Sequence, residues 1–77
     1  MEINIITFGK IAEFISPQRI SLSDLSDTDA LKAYLERKFP QLSSIKYLIA
    51  LDKHVIQVNS VIKNNSTVAI MPPFSGG

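Results

Sequence analysis

The sequence contains no cysteine and only one histidine among its 77 residues. The absence of thiols excludes disulfides, thiolate metal sites and a cysteine nucleophile. Because only one histidine is available, a zinc site built from protein ligands alone is nearly excluded as well. If this protein handles sulfur, the sulfur is not carried on one of its own side chains.

The chain also lacks an excess of charge of either sign. Eight basic and seven acidic residues give a formal net charge of +1, and no basic stripe offers electrostatic support for nucleic-acid binding. No apolar run approaches the ~20 residues needed to span a bilayer. The first ten residues (MEINIITFGK) lack a basic leader followed by a long apolar core, so we do not expect a secretory signal. We therefore expect a cytoplasmic protein that binds neither nucleic acid nor membrane.

Glycine is scarce, and its positions exclude a phosphate-binding loop. The three glycines are Gly9 and the adjacent pair Gly76 and Gly77, and no spacing of serine, histidine and acid indicates a catalytic triad. His54 has no companion with ligand chemistry, so it is interpreted as a residue of a turn or a strand surface. We expect no bound metal or cofactor and no self-contained catalysis.

A group of acidic residues precedes the main helical pattern. Asp24, Asp27 and Asp29 could be read as a cation site, but capping of a helix start explains them more simply. Either Ser26 or Asp27 is expected to cap that helix.

The apolar pattern predicts a single domain of mixed strands and one main helix. Hydrophobic residues make up 45% of the chain and charged residues 19%, which is enough for one core and argues against disorder. Strands are predicted at 2–8, 18–23, 44–52, 54–58 and 67–71, a short helical turn at 9–15, and the main helix from the cap to about Phe39.

Two local patterns specify this prediction further. The helix shows Leu31, Tyr34 and Leu35 near a 3.6-residue period, and Pro40 stops it. The first strand is apolar on both faces and is therefore predicted to be an inner strand.

One helix with one apolar face is suited to cover one face of a sheet. A hairpin followed by a helical crossover then predicts an α+β fold of the β-grasp, or ubiquitin-like, type. Four to five strands would form its mixed sheet, with the last strand beside the first. The predicted domain covers 1–71, and an extended, flexible tail covers 72–77.

The tail has an unusual composition: Pro72, Pro73, Phe74, Ser75 and the two glycines. The prolines fix the backbone and end the last strand, and six extended residues reach roughly 20 Å. Glycines without Cβ atoms can enter a narrow channel. These features predict that the tail delivers the carboxylate of Gly77 to a partner's active site, although a frayed terminus is the plainer interpretation.

The ending VAIMPPFSGG resembles the C-terminus of the small subunits of molybdopterin synthase, the MoaD-type members of the MoaD/ThiS family of sulfur carriers. The stretches INIITFGKIAEFI, DTDALKAYLERKFPQL and LIALDKHVIQVNSVIKNNSTVA resemble the earlier elements at lower specificity. One departure is the turn at 63–67, which lacks the acidic, glycine-containing sequence common in the family. Asn65 is expected to take the glycine-like conformation there, while any salt bridge from this turn to a partner is put in doubt.

The resemblance implies a specific chemistry. An adenylating enzyme similar to ubiquitin-activating enzymes would use ATP to activate Gly77, and a sulfur donor would replace AMP to leave a thiocarboxylate. The tail, from Pro72 to Gly76, would then enter the large subunit of molybdopterin synthase in a heterotetramer, and the large subunit would supply the catalytic side chains. Phe8, Met71 and Phe74 are the expected contacts with the partner, although Met71 could instead pack on its own sheet.

Three alternatives share much of this pattern. The chain could carry sulfur for thiamine synthesis or tRNA thiolation, or it could be a ubiquitin-like modifier that forms isopeptide bonds through Gly77. It could also be a binding module whose tail is incidental. The paired prolines favour the molybdopterin branch.

Overall fold

A computed structural model describes residues 1–22 and 27–73. Five strands form one sheet: β1 (Glu2–Thr7), β2 (Gln18–Ser21), β3 (Leu48–Leu51), β4 (His54–Val55) and β5 (Thr67–Met71). The helix α1 spans Thr28–Lys38, and two 3₁₀ helices span Gly9–Glu13 and Pro40–Ser44.

The strand order is β2-β1-β5-β3-β4. β1 and β5 run parallel, with Asn4 opposite Thr67 and Thr7 opposite Ile70, and the other pairs are antiparallel. The predictions that β1 is an inner strand and that the last strand lies beside the first are therefore confirmed. A mixed sheet of five strands with one helix is the predicted β-grasp arrangement.

The core lies between α1 and one face of the sheet. Alternate residues of β1, Ile3 and Ile5, are at most 1% exposed, and Leu31 and Leu35 of α1 are at most 2% exposed. Burial of apolar side chains of this kind is the dominant favourable term in folding. The other buried apolar core residues are Ile11, Ile15, Ile20, Leu22, Leu42, Ile49, Ile62, Val68 and Ile70.

The helix begins as the sequence predicts. Asp27 is the N-cap, and its carboxylate accepts a hydrogen bond of 2.9 Å from the backbone N–H of Ala30. Asp29 lies in the first turn, and Arg37 and Lys38 lie in the last turn, where each charge suits the helix dipole. Asp24 and Ser26 lie outside the described residues.

The prediction of a strand from residue 44 to 52 was wrong in its first part, because β3 begins only at Leu48. Pro40 starts a 3₁₀ helix, and the hydroxyl of Ser43 donates to the carbonyl of Pro40 at 2.7 Å. These local bonds hold the segment in a turn, and they bury Leu42 beneath the end of α1.

The prediction for the next strand was also too long, because β4 contains only His54 and Val55. The N–H of Ile56 still donates to the carbonyl of Ile49 of β3 at 3.0 Å. The side chain of Ile56 packs against the core, and the strand ends before it. The remaining elements end within two residues of their predicted bounds.

Two tight turns use left-handed backbone. Asp52 and Lys53, with φ of 47° and 77°, join β3 to β4 in the manner of a type I′ hairpin. Asn65, with φ of 68°, precedes β5 and confirms the predicted glycine-like conformation. Its N–H donates to the carbonyl of Glu2 at 2.6 Å, which anchors the turn to β1.

Pro72 packs directly against Gly9. An added Cβ on Gly9 would lie 2.8 Å from Pro72 Cγ, and Gly9 has a φ of +59°. The chain is therefore still in contact with the domain at residue 72, and the boundary between domain and tail stays a prediction.

Thr28 generates a first test of the fold. Its side chain is buried, and its hydroxyl accepts a hydrogen bond of 2.9 Å from the N–H of Ser60. We expect Thr28→Val to lower the free energy of unfolding by about 1–3 kcal/mol, because the N–H of Ser60 loses its partner. Urea unfolding measures this. Thr28→Ser, which keeps the hydroxyl, is the control, and equal losses in both variants would contradict this explanation.

Gly9 generates a second test. Gly9→Ala is expected to cost about 1–2 kcal/mol for the left-handed backbone alone, with a further loss from the contact with Pro72. A double-mutant cycle with Pro72→Ala separates the two costs. The cost of Gly9→Ala should fall when the proline ring is absent; a cost that is the same in both backgrounds would show that the contact does not matter.

Candidate partner-binding site at the base of the tail

The parallel pairing of β1 and β5 brings the two predicted contact residues together. Both strands end at the same edge of the sheet, so Phe8, which follows β1, lies next to Met71 at the end of β5. The N–H of Phe8 donates to the carbonyl of Ile70 at 3.1 Å, which fixes the backbone of Phe8 beside β5.

Phe8 and Met71 both belong to the sheet face that α1 does not cover. Phe8 follows the buried Thr7 in the strand alternation and is 49% exposed. Met71 is half-buried and lies opposite Leu48 of β3. Because Met71 pairs within the sheet and also lines the outer surface, packing and partner contact are compatible roles for this residue.

Val55 is a third apolar side chain on this face, and the sequence analysis did not identify it. It is 51% exposed and lies opposite Ala50, which in turn lies opposite Ala69. The signal that could have identified it is the two-residue hairpin at Asp52–Lys53. That turn fixes the register of β4 and directs Val55 outward when Ile56 turns inward.

These side chains surround a shallow depression of about 420 Å³. Small residues make its floor, since Ala50 and Ala69 are 4% and 8% exposed beneath their larger neighbours. An exposed apolar surface with a concave centre is typical of a protein-binding site. We call this surface the outer patch, defined by Ile6, Phe8, Val55, Ala69 and Met71.

The outer patch adjoins the base of the tail. Pro72 follows Met71 and is half-buried against Gly9, and Pro73 is exposed. Phe74, Ser75, Gly76 and Gly77 lie outside the described residues, so their predicted roles stay predictions. A partner that binds the outer patch is therefore positioned beside the point where the chain continues into the tail.

The opposite end of this sheet face is polar. The guanidinium of Arg19 forms an ion pair of 2.7 Å with Glu2 and donates to the side chains of Asn4 and Asn65. This network connects β2, β1 and the turn before β5. Phe8 and Met71 lie at the other end of this face, the end that carries the tail.

The structure places His54, the chain's lone histidine, on the surface. His54 is exposed, and its Nδ1 lies 3.1 Å from the carbonyl oxygen of Asp52. Among residues 1–22 and 27–73, no cluster of three or more histidine or acidic side chains could hold a metal ion. Nor is any helix in these two ranges long and apolar enough to cross a membrane.

The environment of Tyr47 makes its phenol less acidic. Burial, followed by the hydrogen bond to Glu36 and the charge of that carboxylate, raises the pKa of Tyr47 above its ordinary value of 10.0. Tyr47 packs against the core cluster, and it does not line the outer patch. Its role is to hold the segment before β3 against α1.

Two curated proteins are similar to this chain over nearly its full length. A molybdopterin synthase sulfur carrier subunit from Chlamydomonas reinhardtii is 31% identical over 83 aligned positions, which cover 100% of both chains. A molybdopterin synthase sulfur carrier subunit from Haemophilus influenzae is 28% identical over 80 positions, covering 97% of this chain and 99% of that protein.

A solved structure agrees with these relatives. A chain in the complex of subunits 1 and 2 of the molybdopterin-converting factor from Helicobacter pylori superposes with a TM-score of 0.75 and 26% identity, over 100% of both chains. Residues 5–77 match the model of the ThiS family, a range that begins within β1 and includes α1, β5 and the tail. The chain therefore belongs to the ThiS family.

Proposed function

We propose that this protein is the sulfur carrier subunit of a molybdopterin synthase. The observation that carries the proposal is the position of the outer patch at the base of a diglycine tail. Two curated relatives of the chain bear that subunit's name. The start of the tail, at Pro72, therefore lies beside a surface that a partner can bind.

The reactive group in this proposal is the carboxylate of Gly77. A carboxylate is a poor electrophile, so an adenylating enzyme joins it to AMP from ATP with release of pyrophosphate. A sulfur donor at the oxidation level of sulfide then displaces AMP and leaves a thiocarboxylate. The absence of cysteine means that no thiol of this chain competes for the activated carbonyl.

The thiocarboxylate is the sulfur nucleophile for the second half of the reaction. Inside the large subunit its sulfur attacks a carbon of the pterin precursor and displaces an oxygen substituent from that carbon. Water then cleaves the acyl–sulfur bond, which leaves the sulfur on the pterin and restores the carboxylate. Two such transfers form the dithiolene of molybdopterin. A pocket that closes over the tail keeps water from the thiocarboxylate before transfer. This chain supplies the nucleophile and its position, and the large subunit supplies the catalytic side chains.

The outer patch is the proposed contact with the large subunit. The related Helicobacter pylori chain was solved as a complex of subunits 1 and 2, which supports a partner of this kind. Phe8 and Val55 are the most exposed apolar side chains of the outer patch, and binding would bury them. The need for ATP in the adenylation step is compatible with the expected cytoplasmic location.

Intact mass spectrometry tests the proposed chemistry. Protein co-expressed with its adenylating enzyme and sulfur donor should gain roughly 16 Da, the difference between sulfur and oxygen. Deletion of Gly77 should abolish this gain without changing the free energy of unfolding, because the core lies within residues 3–70. Isopeptide adducts on other proteins in place of the mass gain would instead indicate a modifier. Molybdopterin synthesis by the truncated chain would refute the proposal.

Binding to the large subunit tests the proposed contact. Phe8→Glu and Val55→Glu should each weaken the complex by about 2–4 kcal/mol, because each places a charge in an apolar interface. Isothermal titration calorimetry measures the affinity. Val58→Glu is the matched control, since Val58 is 75% exposed and does not line the outer patch. An equal loss in all three variants, or no loss in any, would count against the outer patch.

A further inference from the structure

A second surface depression adjoins Pro72, separate from the outer patch. It is a groove of about 550 Å³ where the first 3₁₀ helix faces the end of the second. Pro72 lines this groove, whereas its neighbour Met71 lines the outer patch. We call it the side groove, defined by Lys10, Ile11, Phe14, Ile45, Lys46 and Pro72.

The interior of the side groove is apolar. Ile11 is 1% exposed and forms part of the core, and Phe14 packs against the core from the side of the groove. Ile45 is different, because it is 40% exposed and is absent from the core cluster. Its side chain is therefore available to a partner, and its burial in a complex would be favourable.

The mouth of the side groove carries an excess of positive charge. Lys10 and Lys46 line it together with one acid, Glu13. Within the part of the chain that the structure describes, the only ion pair joins Arg19 to Glu2, so neither lysine is ion-paired with a described carboxylate, and the groove keeps one positive charge more than negative. Two ammonium groups beside an apolar depression favour a ligand that pairs an apolar side chain with an acidic one.

The position of the side groove points to the same partner that receives the tail. A protein that closes around the tail must surround Pro72, and Pro72 has the side groove on one flank and the outer patch beyond Met71. Contact at only one of the two surfaces would leave the base of the tail open to water.

We infer that the side groove is a second docking site for the large subunit. Its occupant is a segment of the large subunit that inserts a large apolar side chain against Ile11, Phe14 and Ile45. A carboxylate next to that side chain lies between Lys10 and Lys46. This inference rests on the proposed function. It means that the large subunit contacts the base of the tail on two sides, at the outer patch and at the side groove.

Affinity measurements with the purified large subunit test the inference. Ile45→Asp should weaken binding about tenfold or more, because it removes apolar burial and repels the partner's carboxylate. Lys46→Glu should lower the association rate several-fold at low ionic strength, and this effect should shrink as salt is added.

Matched controls use exposed sites outside both surfaces. Val61→Asp introduces the same acid at a residue that is 72% exposed. Lys32→Glu reverses a charge on α1 at an exposed residue that lines neither surface. Both control variants should bind like the unaltered chain. Circular dichroism and urea unfolding confirm that every variant is folded.

The outcomes separate this inference from the proposed function. If Phe8→Glu abolishes binding while Ile45→Asp and Lys46→Glu bind normally, the side groove is not a docking site and the proposed function stands. If the unaltered chain does not bind the large subunit, both the inference and the proposed function are refuted. If Ile45→Asp instead alters only self-association in sedimentation experiments, the occupant is a second copy of this chain and the inference is overturned.

Discussion

The parallel ladder between β1 and β5 is the interaction on which the rest of the structure depends. It connects segments more than sixty positions apart in the chain, with Asn4 opposite Thr67 and Thr7 opposite Ile70. Because the strands are parallel, their final residues meet at one edge of the sheet. Phe8 therefore lies beside Met71, the residue that precedes the tail, and the outer patch depends on this pairing.

Much of the fold could be predicted because local and long-range preferences agree. The alternation of apolar residues in β1 and their helical period in α1 predict the elements that the structure shows. The asparagine at position 65 likewise predicts the left-handed backbone found there. The segment after α1 could not be placed correctly, since its apolar residues fit a strand as well as a turn. Pro40 and the serine hydroxyls of Ser43 and Ser44 decide the outcome, and their effect depends on bonds three residues away.

The site was predictable only in part, for a different physical reason. Tail composition and strand alternation indicate Phe8 and Met71, because both signals are local. Val55 becomes a neighbour of these residues only through the register of β4 on β3 and of β3 on β5. The side groove likewise depends on how two 3₁₀ helices pack. Contacts of this kind arise from tertiary structure, so no pattern within one segment specifies them.

The parallel arrangement also has a mechanical consequence. A pull on the tail is transmitted along β5, and its hydrogen bonds to β1 on one side and β3 on the other lie across the direction of that pull. The bonds are then loaded together, in shear, rather than broken one after another as in the opening of a zipper. A force applied to the end of the chain is therefore resisted by both neighbouring strands together. The tail can bear tension without unfolding of the domain.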